Sequence, residues 1–161
     1  MVKSHDWRIS VLGAIRIVMN DDPSKLDLTE VDEALQVAQG DPNQENYFYD
    51  AFLNAEIFIP ALAADKKSGE WKRLSASERF FPLYLRQNET RAIPVFDRLE
   101  RLKTWAGNRA FNYLTLQTHL FLKVIAPEIF IVLNEGTEYR YLFTPEILES
   151  LRRAAKPVRP Q

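Results

Sequence analysis

Residues 129–133 read Ile-Phe-Ile-Val-Leu, and the turn sequence Asn-Glu-Gly-Thr follows at residues 134–137. An uninterrupted apolar run of this length, bounded by turn residues, is typical of a strand that is buried on both faces of its sheet. Such a strand needs other elements packed over both faces. The stretch therefore predicts a buried strand at the centre of the fold.

Strand and helix patterns extend from this run in both directions. The chain alternates between short apolar segments bounded by turn residues and longer segments with apolar residues at helical spacing. The former predict strands at 56–62, 80–87, 91–96, 110–116 and 139–143, and the latter predict helices at 29–39, 42–55, 97–106, 118–125 and 144–155. We therefore predict an α/β (α+β mixed) fold, with a central mixed β-sheet of about five or six strands flanked by helices.

Capping residues mark the ends of these helices. Thr29 and Asp32 have the spacing of a capping box, in which the hydroxyl accepts an early backbone N–H and the acid reaches back. Asp97 is the expected cap of the helix that follows it, and Gly40 is expected to end the first helix in a left-handed conformation. The residues predicted to be buried in the core are Leu35, Phe48, Phe52, Phe96, Leu102, Trp105, Ile131 and Leu133.

Length and composition set the class of protein. A chain of 161 residues that is 46% hydrophobic is large enough for one real core. The absence of cysteine excludes disulfides, thiolate zinc sites and iron–sulfur clusters, and fits a reducing compartment. No apolar stretch approaches the roughly 20 residues that a membrane-spanning helix needs. We therefore predict a cytoplasmic protein without a membrane span.

The domain organisation follows from the same patterns. Residues 20–155 are predicted to form a single domain, and residues 156–161, with two prolines, a frayed tail. Residues 1–19 differ from the rest, since the segment from Trp7 to Met19 contains two arginines and no acid. They are interpreted either as an extra strand or as an extension upstream of a translation start at Met19. A secretory signal is the least favoured alternative.

Charge is distributed unevenly along the chain. Residues 20–65 hold eleven acids and one base, whereas residues 66–109 hold eleven bases and five acids. The net charge is therefore −10 in the first segment and +6 in the second, although the whole chain carries only −1. This pattern predicts either two faces of opposite potential or solvated surfaces that partly neutralise each other.

No residue pattern indicates catalysis, a metal or a cofactor. His119 is the only histidine in the predicted core region, and its apolar neighbours favour a packing residue with one hydrogen bond. The glycines are isolated, so no phosphate-binding loop can be written with them. We therefore assign no catalytic, cofactor-binding or metal-binding residue.

Two stretches resemble the N-terminal domain of the SseB family, named from enhanced serine sensitivity protein B. Residues 93–105 read IPVFDRLERLKTW, similar to a family strand that ends in Phe and leads into a helix with Leu and Trp. Residues 131–136 read IVLNEG, and residues 143–148 read FTPEIL, similar to the family's strand–turn segment and closing helix. The chain departs from the pattern at Asp97, where threonine is common, and at Glu135, where proline is.

The resemblance implies a bacterial α/β domain of roughly residues 28–155, without an established enzymatic activity or cofactor. Our leading hypothesis is a non-enzymatic protein-interaction or adaptor module. One alternative is an enzyme or small-ligand-binding domain with a site near Asn134–Tyr139, and another is weak nucleic-acid binding through residues 66–109. The predicted surface for a protein partner is formed by Lys66, Lys67, Trp71, Lys72 and Arg73.

Overall fold

The computed structural model describes residues 28–61, 72–73, 81–109 and 112–155. The predictions for residues 1–19 and 156–161 concern segments outside these ranges, as do three residues of the predicted interaction surface, Lys66, Lys67 and Trp71. Those predictions are untested by the described residues.

The described residues form five α-helices, at Glu30–Gly40 (α1), Glu45–Leu53 (α2), Leu99–Ala106 (α3), Thr118–Phe121 (α4) and Pro145–Ala154 (α5). The capping box predicted for α1 is confirmed, because the Asp32 N–H donates to Thr29 Oγ1 and the Thr29 N–H donates to Asp32 Oδ2, both at 2.9 Å. The predicted start of α5 is confirmed as well, since Thr144 Oγ1 accepts the Ile147 N–H at 3.3 Å. Local sequence thus decides where these two helices begin.

Two of the predicted capping arrangements are wrong, although α1 does end at Gly40. α3 begins after Arg98 without a side-chain cap, because the Asp97 carboxylate is used by other partners. The residue that follows Gly40, Asp41, has φ −147°, and Gly40 itself lacks a positive φ. Extended Asp41 instead starts the 3₁₀ helix Pro42–Gln44 that leads into α2. Gly107 follows the last residue of α3 with φ 67°, a positive value that glycine adopts without steric cost.

The strands are Glu56–Ala61 (β1), Lys72–Arg73 (β2), Leu85–Gln87 (β3), Thr90–Val95 (β4), Asn112–Gln117 (β5), Phe130–Leu133 (β6) and Tyr141–Phe143 (β7). They form one sheet in the order β1-β5-β2 and another in the order β3-β4-β6-β7. Each sheet has one parallel pair, β2 with β5 and β4 with β6, and its other pairs are antiparallel. The mixed α/β class is confirmed, but the strand count differs from the five or six predicted in one sheet.

Pro94 explains why the strands divide into two sheets. The Val95 carbonyl points toward β6, where it accepts the Asn134 N–H at 2.8 Å, so the backbone of Pro94 faces the other side of β4. Pro94 has no N–H to donate there, and the pairing of β3 with β4 reaches only to Leu85 opposite Ala92, two residues short of Pro94. β1 takes up that side of β4 only beyond the proline, where Phe58 and Phe96 exchange two backbone hydrogen bonds of 2.7 and 3.0 Å.

The core lies where α1, α2 and α5 pack on both sheets. Phe52 of α2 stacks on Phe143 of β7 with ring centroids 4.2 Å apart. All residues predicted to be buried are buried except Trp105. Trp105 is half-buried, and its ring centroid lies 5.5 Å from that of Phe96. None of the described helices combines the length and the apolarity that a membrane crossing requires.

Candidate functional site

The carboxyl ends of β4 and β6 meet at one edge of the four-stranded sheet. These two strands are neighbours and parallel, so the segments that follow them, residues 96–98 and 134–140, lie side by side. In α/β proteins, ligands often bind at the carboxyl ends of parallel strands. This edge includes the Asn134–Tyr139 segment, near which the alternative hypothesis places a small-ligand site. The contacts at this edge therefore bear on that hypothesis.

Asn134 connects the two segments. Its backbone has φ 55°, a left-handed conformation that asparagine tolerates better than most residues. Its side-chain Oδ1 accepts the Asp97 N–H at 3.2 Å, and its carbonyl accepts the Thr137 hydroxyl at 2.9 Å. The Tyr139 N–H then donates to Thr137 Oγ1 at 3.0 Å. The turn after β6 is thus fixed to the end of β4 by side-chain hydrogen bonds.

An ionic network lies against this turn. Arg101 of α3 donates to both carboxylate oxygens of Asp32, at 2.8 and 2.6 Å, and to Asp97 Oδ1 at 2.8 Å. The Thr29 hydroxyl donates to Asp97 Oδ2 at 2.6 Å. The first turn of α1 is therefore attached to α3 and to the end of β4 by one guanidinium and two carboxylates.

Burial makes these contacts strong. The side chain of Asp32 is 0% exposed and that of Arg101 14%. Burial of Arg101 acts to lower the pKa of its guanidinium, but the hydrogen bond to Asp32 and the charge of Asp97 outweigh burial and raise that pKa above its ordinary value. The ring of Tyr139 covers Arg101, with the guanidinium carbon 5.1 Å from the ring centroid. Arg101 is therefore charged and held in one position.

The groups of this network bind one another. Each of the four carboxylate oxygens of Asp32 and Asp97 accepts at least one hydrogen bond from Arg101 or Thr29. A general acid or base needs an oxygen that faces its substrate, whereas these four oxygens accept hydrogen bonds within the protein. We therefore interpret Thr29, Asp32, Asp97 and Arg101 as a clamp that holds α1 to α3. One atom beside the clamp differs: Asn134 Nδ2 is buried and has no hydrogen-bond partner among the described residues.

His119 has the role that its apolar neighbours predict. The residue is half-buried in α4, and its Nδ1 lies 3.3 Å from the Leu53 carbonyl oxygen at the end of α2. This is a packing position with one hydrogen bond. The nearest acid along the chain, Glu128, instead pairs with Arg91 at 3.5 Å.

Exposed charge is segregated on the described surface. Residues 28–61 contain seven acids and no lysine or arginine. One of the acids, Asp32, belongs to the clamp, and the others are exposed on the surface without a described ion pair. These exposed acids are Glu30, Glu33, Asp41, Glu45, Asp50 and Glu56. Residues 28–61 therefore present an acidic surface built mainly on α1 and α2.

Two residues of the predicted basic surface fall within the described ranges. Lys72 and Arg73 form β2, which lies at the edge of the three-stranded sheet, and Arg73 is exposed. Lys66, Lys67 and Trp71 lie outside the described residues. The basic surface remains a prediction.

Sequence reasoning found part of the clamp. The spacing of Thr29 and Asp32 identified the cap, but Arg101 received no role. One pattern could have suggested it, because Asp97 and Arg101 are four residues apart, the spacing of a helical ion pair. The described residues contain no cluster of three or more acidic or histidine side chains placed to hold a metal ion.

Comparison with known proteins gives one result. The family model described as the SseB protein N-terminal domain matches residues 31–150, which include the clamp from Asp32 onward, both parallel strands of the four-stranded sheet and most of α5. No curated protein and no solved structure matches the chain.

Proposed function

Because the chain belongs to the SseB family, we propose that it is a non-enzymatic protein-interaction module of the adaptor type. It acts in the cytoplasm and recognises a protein partner through surface charge. The basic residues Lys66, Lys67, Lys72 and Arg73 and the neighbouring Trp71 contribute to the contact.

The segregation of exposed charge carries this proposal. Acidic and basic side chains are usually mixed on a protein surface. Residues 28–61, however, contain no lysine or arginine, and their exposed acids form no described ion pair. The segment that follows, residues 66–109, is rich in bases. Surfaces of opposite sign steer a charged partner into contact and set the salt dependence of its association.

The clamp also supports a non-enzymatic role. Its carboxylates and guanidinium are committed to one another, so they hold α1 in place, and this role requires no ligand. One observation favours a second candidate, a small-ligand site near Asn134–Tyr139. Asn134 Nδ2 is a buried donor without a partner, and such a donor can bind a water molecule or a ligand atom.

Charge reversal tests the proposal. The variants Lys66→Glu/Lys67→Glu and Lys72→Glu/Arg73→Glu should fold normally but capture less of a native partner from host extract, with the largest difference at low salt. The matched control, Lys123→Glu/Arg153→Glu, changes the net charge equally at two exposed positions outside the basic surface and should bind like the wild type. Equal capture by all three variants would refute the basic surface.

His119→Ala separates the interaction module from the ligand-site alternative. Because His119 makes a packing contact, its loss should lower stability slightly and leave partner capture unchanged. A well-folded His119→Ala protein that no longer binds would contradict this packing role and would point to a site that includes His119. Competition by single-stranded oligonucleotide for the same surface would support the nucleic-acid alternative instead.

A further inference from the structure

The α1–α2 hairpin exposes two large apolar side chains at the same end. Val37 lies in the last turn of α1 and is 45% exposed, and Tyr47 lies in the first turn of α2 and is 49% exposed. The inner faces of both helices fill the core, for example through Leu35 and Phe48. Val37 and Tyr47 therefore face outward near the connection between the helices, where they contribute nothing to the packed core.

Val37 and Tyr47 each have an acidic residue within four positions in the sequence. Glu33 precedes Val37 by four residues and Asp50 follows Tyr47 by three, so each acid neighbours its apolar residue on the helix surface. Asp41, on the connection between the helices, and Glu45, the first residue of α2, are also exposed. None of these four acids has an ion-pair partner among the described residues. The surface thus has apolar side chains accompanied by acids that form no ion pair with any described residue.

This combination selects the chemistry of an occupant. Tyrosine is enriched in protein interfaces because its ring offers a large contact area and its hydroxyl a hydrogen bond. A rim of one charge attracts the opposite charge and disfavours its own. A complementary segment therefore carries an apolar side chain for Val37 and Tyr47, with lysine or arginine on either side of it for the acids.

We propose that Glu33, Val37, Tyr47 and Asp50, here called the hairpin site, dock a basic segment with apolar residues from a protein partner. The inference rests on the proposed function, since it supplies a second contact surface for an interaction module. It differs from the basic surface in residues and in the sign of its charge. Binding at the hairpin site can therefore succeed or fail independently of charge reversal at Lys66–Arg73.

A fluorescent amphipathic peptide of leucine and lysine serves as the probe. The full-length chain should bind it, and should not bind the same peptide with glutamate in place of lysine. A lysine–glycine peptide, which has charge but no apolar residue, should bind at least about tenfold more weakly, as expected where apolar anchors provide much of the affinity. Fluorescence anisotropy measures all three affinities.

Two double variants divide the site by chemistry. Glu33→Gln/Asp50→Asn removes its charge, and Val37→Ser/Tyr47→Ser removes its apolar groups. Each should weaken binding of the leucine–lysine peptide about tenfold, while the melting temperature stays near that of the wild type because all four residues are exposed. Glu89→Gln/Glu146→Gln, which neutralises two exposed acids outside the hairpin, should bind the peptide like the wild type.

Other results would overturn the proposal. If both double variants bound the leucine–lysine peptide as tightly as the wild type, or if the wild type bound the lysine–glycine and leucine–lysine peptides equally, the hairpin site would be refuted. The chain's own N-terminal segment, which contains Arg8 and Arg16, could compete with the peptide for the hairpin site. If Arg8→Glu/Arg16→Glu raised the peptide affinity tenfold, that segment would be the occupant. Concentration-dependent self-association that Glu33→Gln/Asp50→Asn abolishes would instead identify a second copy of the chain as the occupant.

Discussion

Asp32 shows how a single residue can serve local and distant structure together. Its carboxylate caps α1 through the Thr29 N–H and also receives Arg101, which is 69 residues away in the sequence. The cap was predictable because its two partners are three residues apart. The arginine was not, because its position depends on how α3 packs against α1, and no spacing rule reports such a contact. Sequence reasoning thus identified half of this residue's role.

The clamp makes a prediction about stability. Asp32→Asn should lower the free energy of unfolding by about 3 kcal/mol, because it leaves the buried guanidinium of Arg101 with one carboxylate. Arg101→Gln should cost a similar amount, since it leaves Asp32 and Asp97 without their counter-charge. The double variant should cost less than the sum, with a coupling energy of about 1–3 kcal/mol. Urea denaturation measures each value.

Glu33→Gln is the control for this cycle, because Glu33 is exposed beside Asp32 in the same helix. It should change the free energy of unfolding by less than about 0.5 kcal/mol. Additive effects of Asp32→Asn and Arg101→Gln would show that the two side chains are energetically independent and that the network is no clamp.

At the level of elements, α2 is held to β7 by aromatic residues. Tyr49 and Tyr141 place their hydroxyl oxygens 3.0 Å apart, beside the stacked rings of Phe52 and Phe143. Burial and the hydrogen bond to Tyr141 raise the pKa of Tyr49 above its ordinary value, and burial also raises the pKa of Tyr141. The folded protein therefore favours the protonated form of both phenols.

This shift predicts an alkaline loss of stability. Below about pH 10 both phenols are protonated in the folded and the unfolded chain, so their contribution is fully present. Above that pH the unfolded chain releases protons that the folded chain retains, and stability falls as the pH rises. Tyr49→Phe/Tyr141→Phe should therefore lose less stability than the wild type between about pH 9 and 11.

The measurement is the free energy of unfolding in urea at several pH values across that range. Tyr47→Phe is the control, because its side chain is exposed on the same helix as Tyr49. It should follow the wild-type curve. If the double variant followed that curve too, the Tyr49–Tyr141 pair would have no part in the alkaline transition.

Element positions were largely predictable, whereas their assembly was not. The segments predicted as strands at 80–87, 91–96, 129–133 and 139–143 contain β3, most of β4, β6 and β7, which form the four-stranded sheet. Pro94 limits the pairing of β4 on one side, but the junction of the two sheets at Phe58 and Phe96 depends on where β1 meets β4, which no local pattern reports. Trp105 was predicted to be buried from its helical spacing, yet α3 leaves it half-exposed in its last turn.

For the molecule as a whole, the question is whether the two sheets are one folding unit. The buried core draws Ile57 and Ile59 from one sheet and Ile93 and Ile131 from the other. α1, α2 and α5 contribute to the same cluster. The Arg101 clamp and the Phe58–Phe96 hydrogen bonds add polar links between elements distant in sequence. A core shared in this way favours one cooperative domain over two independent sheets.

We therefore expect a single unfolding transition. Trp7→Phe/Trp71→Phe leaves Trp105 as the only tryptophan, and Trp105 lies beside Phe96, where the two sheets join. Its fluorescence reports this junction, whereas far-ultraviolet circular dichroism reports all helices and strands. If the sheets fold as one unit, the two probes give the same urea midpoint and the same slope. Loss of the Trp105 signal at lower urea than the dichroism would mean that the junction opens first, and the chain would then be two folding units joined by Phe58 and Phe96.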